Sequence, residues 1–354
     1  MSLIVVIPSS RTISLDHVAP LIDAGARFIV VDDSDGRIRI DHPQFEVYNW
    51  RDRARLLGRH DTALPRRNGA CRDIGFVVAW KESSDDDIIV AIDDDCVVDD
   101  AHFADAVRAR LQGGKTRSLN AGRRHVNVID MYDSLGSEPL FARGFPYSQR
   151  IGYSPCQLDG WIPGPIAFNV GLWTEVFDIN AVDKIQAAQF SFPAATLTHE
   201  AVVIPPGTLV SVCAMNMQFR RGLIPAAFQL PMHVEVLPGW VVDRFGDIWG
   251  GFILKSLMDK RGDRMSVGGP MIRHVKQDSH VHNIWQEHMA HLVNDEFIAL
   301  LERACDRVEP ASYLDMMTQL RDALASLADG ASSILRTYLR HLDESLAAWV
   351  AVLR

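Results

Sequence analysis

The chain is short of several things, and each shortage excludes a class of function. Its 354 residues contain only five cysteines, Cys71, Cys96, Cys156, Cys213 and Cys305, an odd number, widely spaced and without a CxxC pair. Nothing in this spacing suggests a zinc or redox centre, and buried free thiols are the expectation. No apolar run has the length of a membrane span, and Pro8 ends the first one before it could serve as a signal-peptide core. A cytoplasmic protein is expected. Positive charge is also scarce: Lys and Arg total 36 against 45 Asp and Glu, for a net charge of -9. That balance argues against a nucleic-acid surface, so any phosphate must be bound locally. Neither GxGxxG nor a Walker loop occurs, which removes the usual dinucleotide and P-loop readings.

What is present is enough apolar residue, 47%, to bury a large core. Short β-branched or aromatic runs at Leu3–Ile7, Arg27–Val31, Phe45–Tyr48 and Ile88–Ile92 alternate with segments able to form helices, notably Asp16–Ala24, Ala70–Trp80 and Asp99–Leu111. This alternation predicts an α/β fold with a mostly parallel sheet flanked by helices. From Ser118 to Val203 the periodicity is irregular, which suits a binding surface better than a core. Leu209–Phe219 reads as strand and then helix, and Asp247–Met258 as helix. Long amphipathic helices broken near Glu309-Pro310 and Asp329-Gly330 predict a C-terminal helical appendage over 283–354, beside a catalytic domain over 1–282. Its Leu and Ala stripes would serve either the chain's own core or a homo-oligomer surface.

The strongest chemical signal is IIVAIDDD, an apolar strand ending in Asp93, Asp94 and Asp95. Adjacent carboxylates repel one another and resist burial, so a bound cation is one reason to place them there, and an acidic turn before a helix is the other. Alternation along a strand would put Asp93 and Asp95 on one side as a metal clamp. His274, in IRHVK, adds an imidazole that would suit Mn²⁺ with diphosphate oxygens completing the shell, although an isolated histidine is more often structural than ligating. Loops after the first, second and fourth strands share one sheet edge. Pro8-Ser9-Ser10-Arg11 would there meet a phosphate, and Asp33 or Asp35 a base or ribose, while DSDG by itself also describes an ordinary turn.

Cations cluster in three further places. Arg66, Arg67 and Arg72 precede the acidic strand and could hold a diphosphate, with a solvated basic loop as the plainer reading of the first two. Arg143 and Arg150 lie among aromatic residues that can stack on a sugar or base, and surface ion pairs explain them equally well. Asp243, Arg244 and Asp247 stand at the start of a helix, where Asp247 either caps the helix or contacts a sugar hydroxyl.

Taken together the stretches IVVIPSSR, VVDDSDG, VYNWRDRARLLG, ACRDIGF, IDDDC, FARGFPYSQR, FNVGLW, MNMQF and DRFGDIWGGF, in that order from residue 4 to about 275, resemble the reversibly glycosylated polypeptide family. Its active members are UDP-arabinopyranose mutases. The resemblance implies a GT-A-like (Rossmann-like) fold and a nucleotide-sugar substrate, UDP- or GDP-linked. It also implies a pyranose–furanose mutase, an isomerase that cleaves and re-forms the anomeric bond to the diphosphate. It implies a Mn²⁺ or Mg²⁺ cofactor at Asp93, Asp95 and His274, with catalytic roles for Arg72, Arg150 and Asp247. Arg150 matches the arginine that is reversibly glycosylated in the plant proteins. Pro8, Ser9, Arg11, Asp33, Asp35, Arg67, Asp94, Arg143, Asn169, Trp173, Asn216, Asp243 and Arg244 are then substrate-binding candidates. Departures at Arg51, Asn68, Gly69 and Asn180 leave sugar and base open. A retaining or self-glycosylating transferase and a non-catalytic interaction subunit are the competing readings.

Overall fold

The computed structural model describes residues 1–120, 122, 124–133, 135, 139–275 and 280–354, with His280 described by its backbone. Along the chain come β1 (Leu3–Ser9), α1 (Ala19–Asp23), β2 (Arg27–Asp32), β3 (Phe45–Tyr48), α2 (Trp50–Leu57), α3 (Arg72–Glu82), β4 (Ile88–Ile92) and α4 (Phe103–Gln112). Then follow β5 (Gly114–Leu119), β6 (Leu158–Gly164), β7 (Phe168–Val176), α5 (Ala181–Gln186), β8 (Ala201–Val203), β9 (Asn216–Arg220), α6 (Gly246–Arg261) and β10 (Met265–His274). Three helices close the chain: α7 (His280–Cys305), α8 (Tyr313–Leu327) and α9 (Ser333–Leu353).

The main sheet runs in the order β3-β2-β1-β4-β9-β7-β10-β8-β5-β6. Strands β3, β2, β1 and β4 are parallel, as are the pairs β7/β10 and β8/β5. Antiparallel pairing enters where β9 is inserted between β4 and β7, where β8 meets β10, and where β6 closes the edge. The mostly parallel, helix-flanked sheet expected from the sequence is therefore present, and it is consistent with a GT-A-like fold. β1 and β4 are continuous apolar runs because both of their faces are covered. Helix α3 lies against β1 and β2, and Gly75 makes that approach feasible: a Cβ there would stand 2.4 Å from the Val6 side chain.

The C-terminal helices share this core. Trp349 donates from Nε1 to the Pro225 carbonyl (2.8 Å), Trp80 Nε1 to the Leu353 carbonyl (2.9 Å), and Trp249 stacks on Phe297 with ring centroids 4.4 Å apart. The apolar stripes of α8 and α9, including Leu320, Leu324, Leu335, Leu339, Leu342 and Leu346, are turned into the chain's own core. The boundary placed between 282 and 283 falls within α7. No helix among the described residues is long and apolar enough to cross a membrane. Cys71, Cys96, Cys213 and Cys305 are buried thiols, and Cys156 is half-buried.

Two expected elements differ. Asn216–Arg220 is a central strand rather than the start of a helix, and β7 sits in the middle of the sheet within the stretch that looked irregular. Gly171 explains the second difference. It breaks the strand pattern because a Cβ at that position would stand 2.2 Å from the Asn216 side chain.

Candidate active site

From β1 the chain steps one way to β2 and β3 and then returns to β4 on the other side, so the strand order reverses between β1 and β4. Ligands of open α/β sheets bind at such a point, beyond the carboxyl ends of the strands. Here the crevice is bridged by Ser9, whose Oγ donates to Asp94 Oδ2 (2.5 Å), and by Arg11, whose Nη2 donates to Asp94 Oδ1 (2.5 Å). The Arg11 guanidinium is held further toward its charged form by that bond to Asp94.

Two clefts of about 640 Å³ each adjoin at this edge. The first is bordered by Pro8, Ser9, Asp33, Arg37, Cys71 and Asp94; the second by Arg72, Asp93, Arg143, Asp243, Arg244 and Asp247, with His233 and Gln286. Arg67, Asn68 and Gly69 border both. In the first cleft the Asp33 carboxylate is fixed by the Trp50 indole N–H (2.8 Å) and by the Arg67 amide. Arg66 and Arg67 lie over the Trp50 ring, 4.7 and 5.2 Å from its centroid.

Arg11 Nη2 reaches two of the three aspartates, lying 2.5 Å from Asp94 Oδ1 and 3.5 Å from Asp95 Oδ2. Residues 93–95 form a turn between β4 and the short strand Cys96–Val97, closed by the Cys96 amide donating to the Asp93 carbonyl (3.2 Å). The regular strand ends at Ile92, so strand alternation does not by itself set the sides of Asp93 and Asp95. Asp93 pairs with Arg72, Asp94 with Ser9 and Arg11, and Asp95 lies 3.9 Å from His274 Nε2. His274, the last residue of β10, donates from Nδ1 to the Val176 carbonyl (2.7 Å). That bond leaves the Nε2 lone pair facing Asp95, the orientation that metal-bound histidines adopt. Asp95 and His274 fit a divalent ion as a pair. Among the described residues no group of three or more such side chains converges.

The second cleft is built on buried charge. Arg72 is fully buried; burial works against its charge, and the Asp93 carboxylate outweighs it, so its pKa is raised. Arg143 meets Asp178 through Nε (2.9 Å), Asp247 through Nη2 (2.9 Å), and the Arg244 carbonyl. Burial opposes its charge too, and the two carboxylates lift its pKa well above the ordinary value. Asp247 lies in the first turn of α6, whose N-cap is Phe245, and accepts from the Ile248 amide (3.0 Å), so it is a first-turn acid rather than the cap. Arg244 reaches Glu287 of α7 (3.1 Å). Five non-glycine residues among those described have positive φ, and three of them, Arg67, His233 and Arg244, border this cleft. Such strain clusters where a site over-determines the backbone.

Other expected residues stand elsewhere. Arg150 borders neither cleft: its guanidinium forms a two-pronged pair with Asp183 (2.8 and 3.0 Å) and lies 4.0 Å from the Tyr147 ring centroid. Asn180 donates to Asp183 (2.9 Å) and accepts from the Gly144 amide (3.0 Å), so Arg150 supports the turn that carries Arg143. Asn169 and Asn216 are fully buried in a polar ladder: Asn169 donates to Gln218 and Gly269, and Asn216 to the Leu172 and Pro270 carbonyls. Trp173 is core, and Asp35 is an exposed turn residue with φ 63°. His233, Gln229 and Gln286 line the second cleft without having been expected. Gln286 was hidden because nothing in an amphipathic helix marks which polar residue faces a site. His233 stands in no recognisable motif.

The sequence model of the reversibly glycosylated polypeptide family matches residues 3–354. The chain is 27% identical to a probable UDP-arabinopyranose mutase 1 of Solanum tuberosum, covering 98% of this chain and 88% of that protein. It is 27% identical to UDP-arabinopyranose mutase 2 of Arabidopsis thaliana (98% and 89%) and 26% identical to UDP-arabinopyranose mutase 1 of Oryza sativa subsp. japonica (98% and 88%). With its full length matched and its charged clefts at the sheet's switch point, the chain belongs to the reversibly glycosylated polypeptide family.

Proposed function

We propose that this protein is an isomerase that interconverts the pyranose and furanose forms of a nucleoside-diphosphate sugar, as the names of its plant relatives state for UDP-arabinopyranose. The observation that carries the reading is the pair of adjoining clefts joined at Arg67–Gly69 and the Asp93–Asp95 turn. The first suits a nucleoside: Asp33 offers a carboxylate to a base or ribose donor. The second brings Arg72, Arg143 and Arg244 around a sugar-sized space rimmed by carboxylates.

Breaking the bond from the anomeric carbon to the diphosphate moves negative charge onto the diphosphate. Arg72, buried, and Arg67, exposed at the rim, would hold that charge, and a buried, preorganised cation such as Arg72 needs no reorganisation as the bond breaks. Holding the diphosphate also keeps it available to recapture the anomeric carbon once the ring has changed size. Asp95 and His274 would hold a Mn²⁺ or Mg²⁺ ion, which supplies Lewis-acid stabilisation of the leaving group when bound. Arg143, fixed by Asp178 and Asp247, shapes the sugar wall. Arg150 acts as a positioning residue through Asp183 and Asn180, since a fully charged and paired guanidinium is a poor nucleophile.

The test is incubation with Mn²⁺ and a panel of UDP- and GDP-linked pyranoses, with chromatography of the products. A furanose product on at least one donor is expected. Transfer to an added acceptor with no change of ring size on any donor would instead establish a transferase.

A further inference from the structure

The second cleft contains a histidine–carboxylate pair that the leaving-group chemistry does not use. Asp243 is buried and accepts three hydrogen bonds: from the Arg244 amide (2.8 Å), from His233 Nδ1 (3.3 Å) and from Gln286 Nε2 of α7 (3.4 Å). The His233 side chain is 71% exposed, so the nitrogen left free by Asp243 is accessible within the cleft that also holds Arg72 and Arg143. A carboxylate on Nδ1 fixes the tautomer in which Nε2 carries the lone pair, the arrangement of an oriented general base. The backbone is shaped for this placement. His233 has φ 60°, which L side chains rarely adopt, and Asn68 Nδ2 donates to the preceding Met232 carbonyl (3.4 Å). Asn68 borders both clefts, so the histidine is tied to the segment where nucleotide and sugar spaces meet.

Resting on the mutase reading, we propose that His233 is the catalytic residue that moves the ring-exchange proton, with Asp243 positioning it. Once the diphosphate has left the anomeric carbon C1, the pyranose is closed through O5 and must be closed through O4. The O4 lone pair forms the new C1–O4 bond while the O4 proton passes to His233 Nε2. The C1–O5 bond then breaks with its electron pair on O5, which takes the same proton back from the imidazolium. One bond forms and one breaks, the proton moves from O4 to O5, and neither an oxidant nor a co-reactant is consumed. A single imidazole serves as base and then as acid, and the diphosphate recaptures C1 in the furanose form.

The decisive variant is His233→Gly, which removes the imidazole while suiting the positive φ. Removing the general base should lower kcat by about 10²–10⁴-fold. Nucleoside-diphosphate affinity by calorimetry should stay unchanged, and free imidazole should restore part of the lost rate. Asp243→Asn should lower kcat without rescue by imidazole. A His233→Gly enzyme that converts as fast as wild type overturns this inference while leaving the mutase reading intact. A slow variant that imidazole does not rescue, with nucleotide affinity lost in parallel, also overturns it, since His233 would then only shape the cleft. A wild-type protein that changes no ring size overturns both.

Discussion

Replacing Asp178 with Asn tests the buried charge on which the sugar cleft is built. Asp178 accepts from Arg143 Nε at 2.9 and 3.2 Å, and both side chains are about nine-tenths removed from solvent. Asparagine keeps the volume and one acceptor but removes the charge, and it turns an NH₂ group toward a guanidinium that can only donate. Removing one partner of a buried ion pair costs about 3–5 kcal/mol. Because Asp247 still pairs with Arg143 at 2.9 Å, the lower end applies, about 3 kcal/mol. At about 2 °C per kcal/mol for a large chain, the melting temperature at pH 7 should fall by roughly 6 °C. The pH dependence has a definite sign. Burial by itself would raise the Asp178 pKa, but the charge and hydrogen bond of Arg143 bring it well below the usual carboxylate range. A depressed folded pKa stabilises above the unfolded value near about 3.9 and is lost only as pH falls through the folded one. Thermal melts should therefore show a constant gap between wild type and Asp178→Asn from pH 5 to 8, closing only in strong acid. A shift below about 1 °C at pH 7 would refute the view that this pair holds the cleft wall.

Two further outcomes are expected. Asp73 is fully buried, accepts from the Gln229 amide (3.0 Å) as its one hydrogen-bond donor among the described residues, and has its pKa pushed well above the ordinary value by burial. A raised folded pKa stabilises below the unfolded value and is lost as pH rises through the folded one, so Asp73→Asn should melt above wild type at pH 8 and lose that advantage near pH 4; a pH-independent difference in melting would contradict this. Because no group of three or more ligand side chains converges among the described residues and Asp95 and His274 stand as a pair, Mn²⁺ followed by electron paramagnetic resonance should bind at least about tenfold more tightly when a nucleoside diphosphate is present. Equal affinity with and without nucleotide would refute a site completed by diphosphate oxygens.

The parts of the fold that could be read from sequence are those where local pattern and tertiary role agree. Leu3–Ser9, Arg27–Asp32 and Ile88–Ile92 are dominated by apolar residues because these strands are buried on both faces, and Phe45–Tyr48 is a half-buried edge strand marked by its aromatic and β-branched residues. β7 was hidden because Gly171 accommodates the Asn216 side chain, and β9 because its polar residues, Asn216 and Gln218, are buried by bonding one another and partners on neighbouring strands. The same limit applies to the site. The Asp93–Asp95 turn, Arg67, Arg72, Arg143 and Asp243–Asp247 were legible as charges at element ends. The directions of the three aspartates depend on a turn whose partners, Arg72, Arg11 and His274, come from three other segments. His233 and Gln286 were invisible, since each reaches the cleft only through the packing of a hairpin and of α7.

The most direct measurement follows UDP- and GDP-linked pyranoses, one at a time, by proton and phosphorus NMR in the presence of protein and diamagnetic Mg²⁺. A mutase should convert the anomeric signal to that of the furanose until equilibrium, while the diphosphate ester stays constant and free nucleoside diphosphate does not accumulate. Free nucleoside diphosphate appearing with hydrolysed or transferred sugar, and no furanose signal from any donor, would contradict the proposed activity.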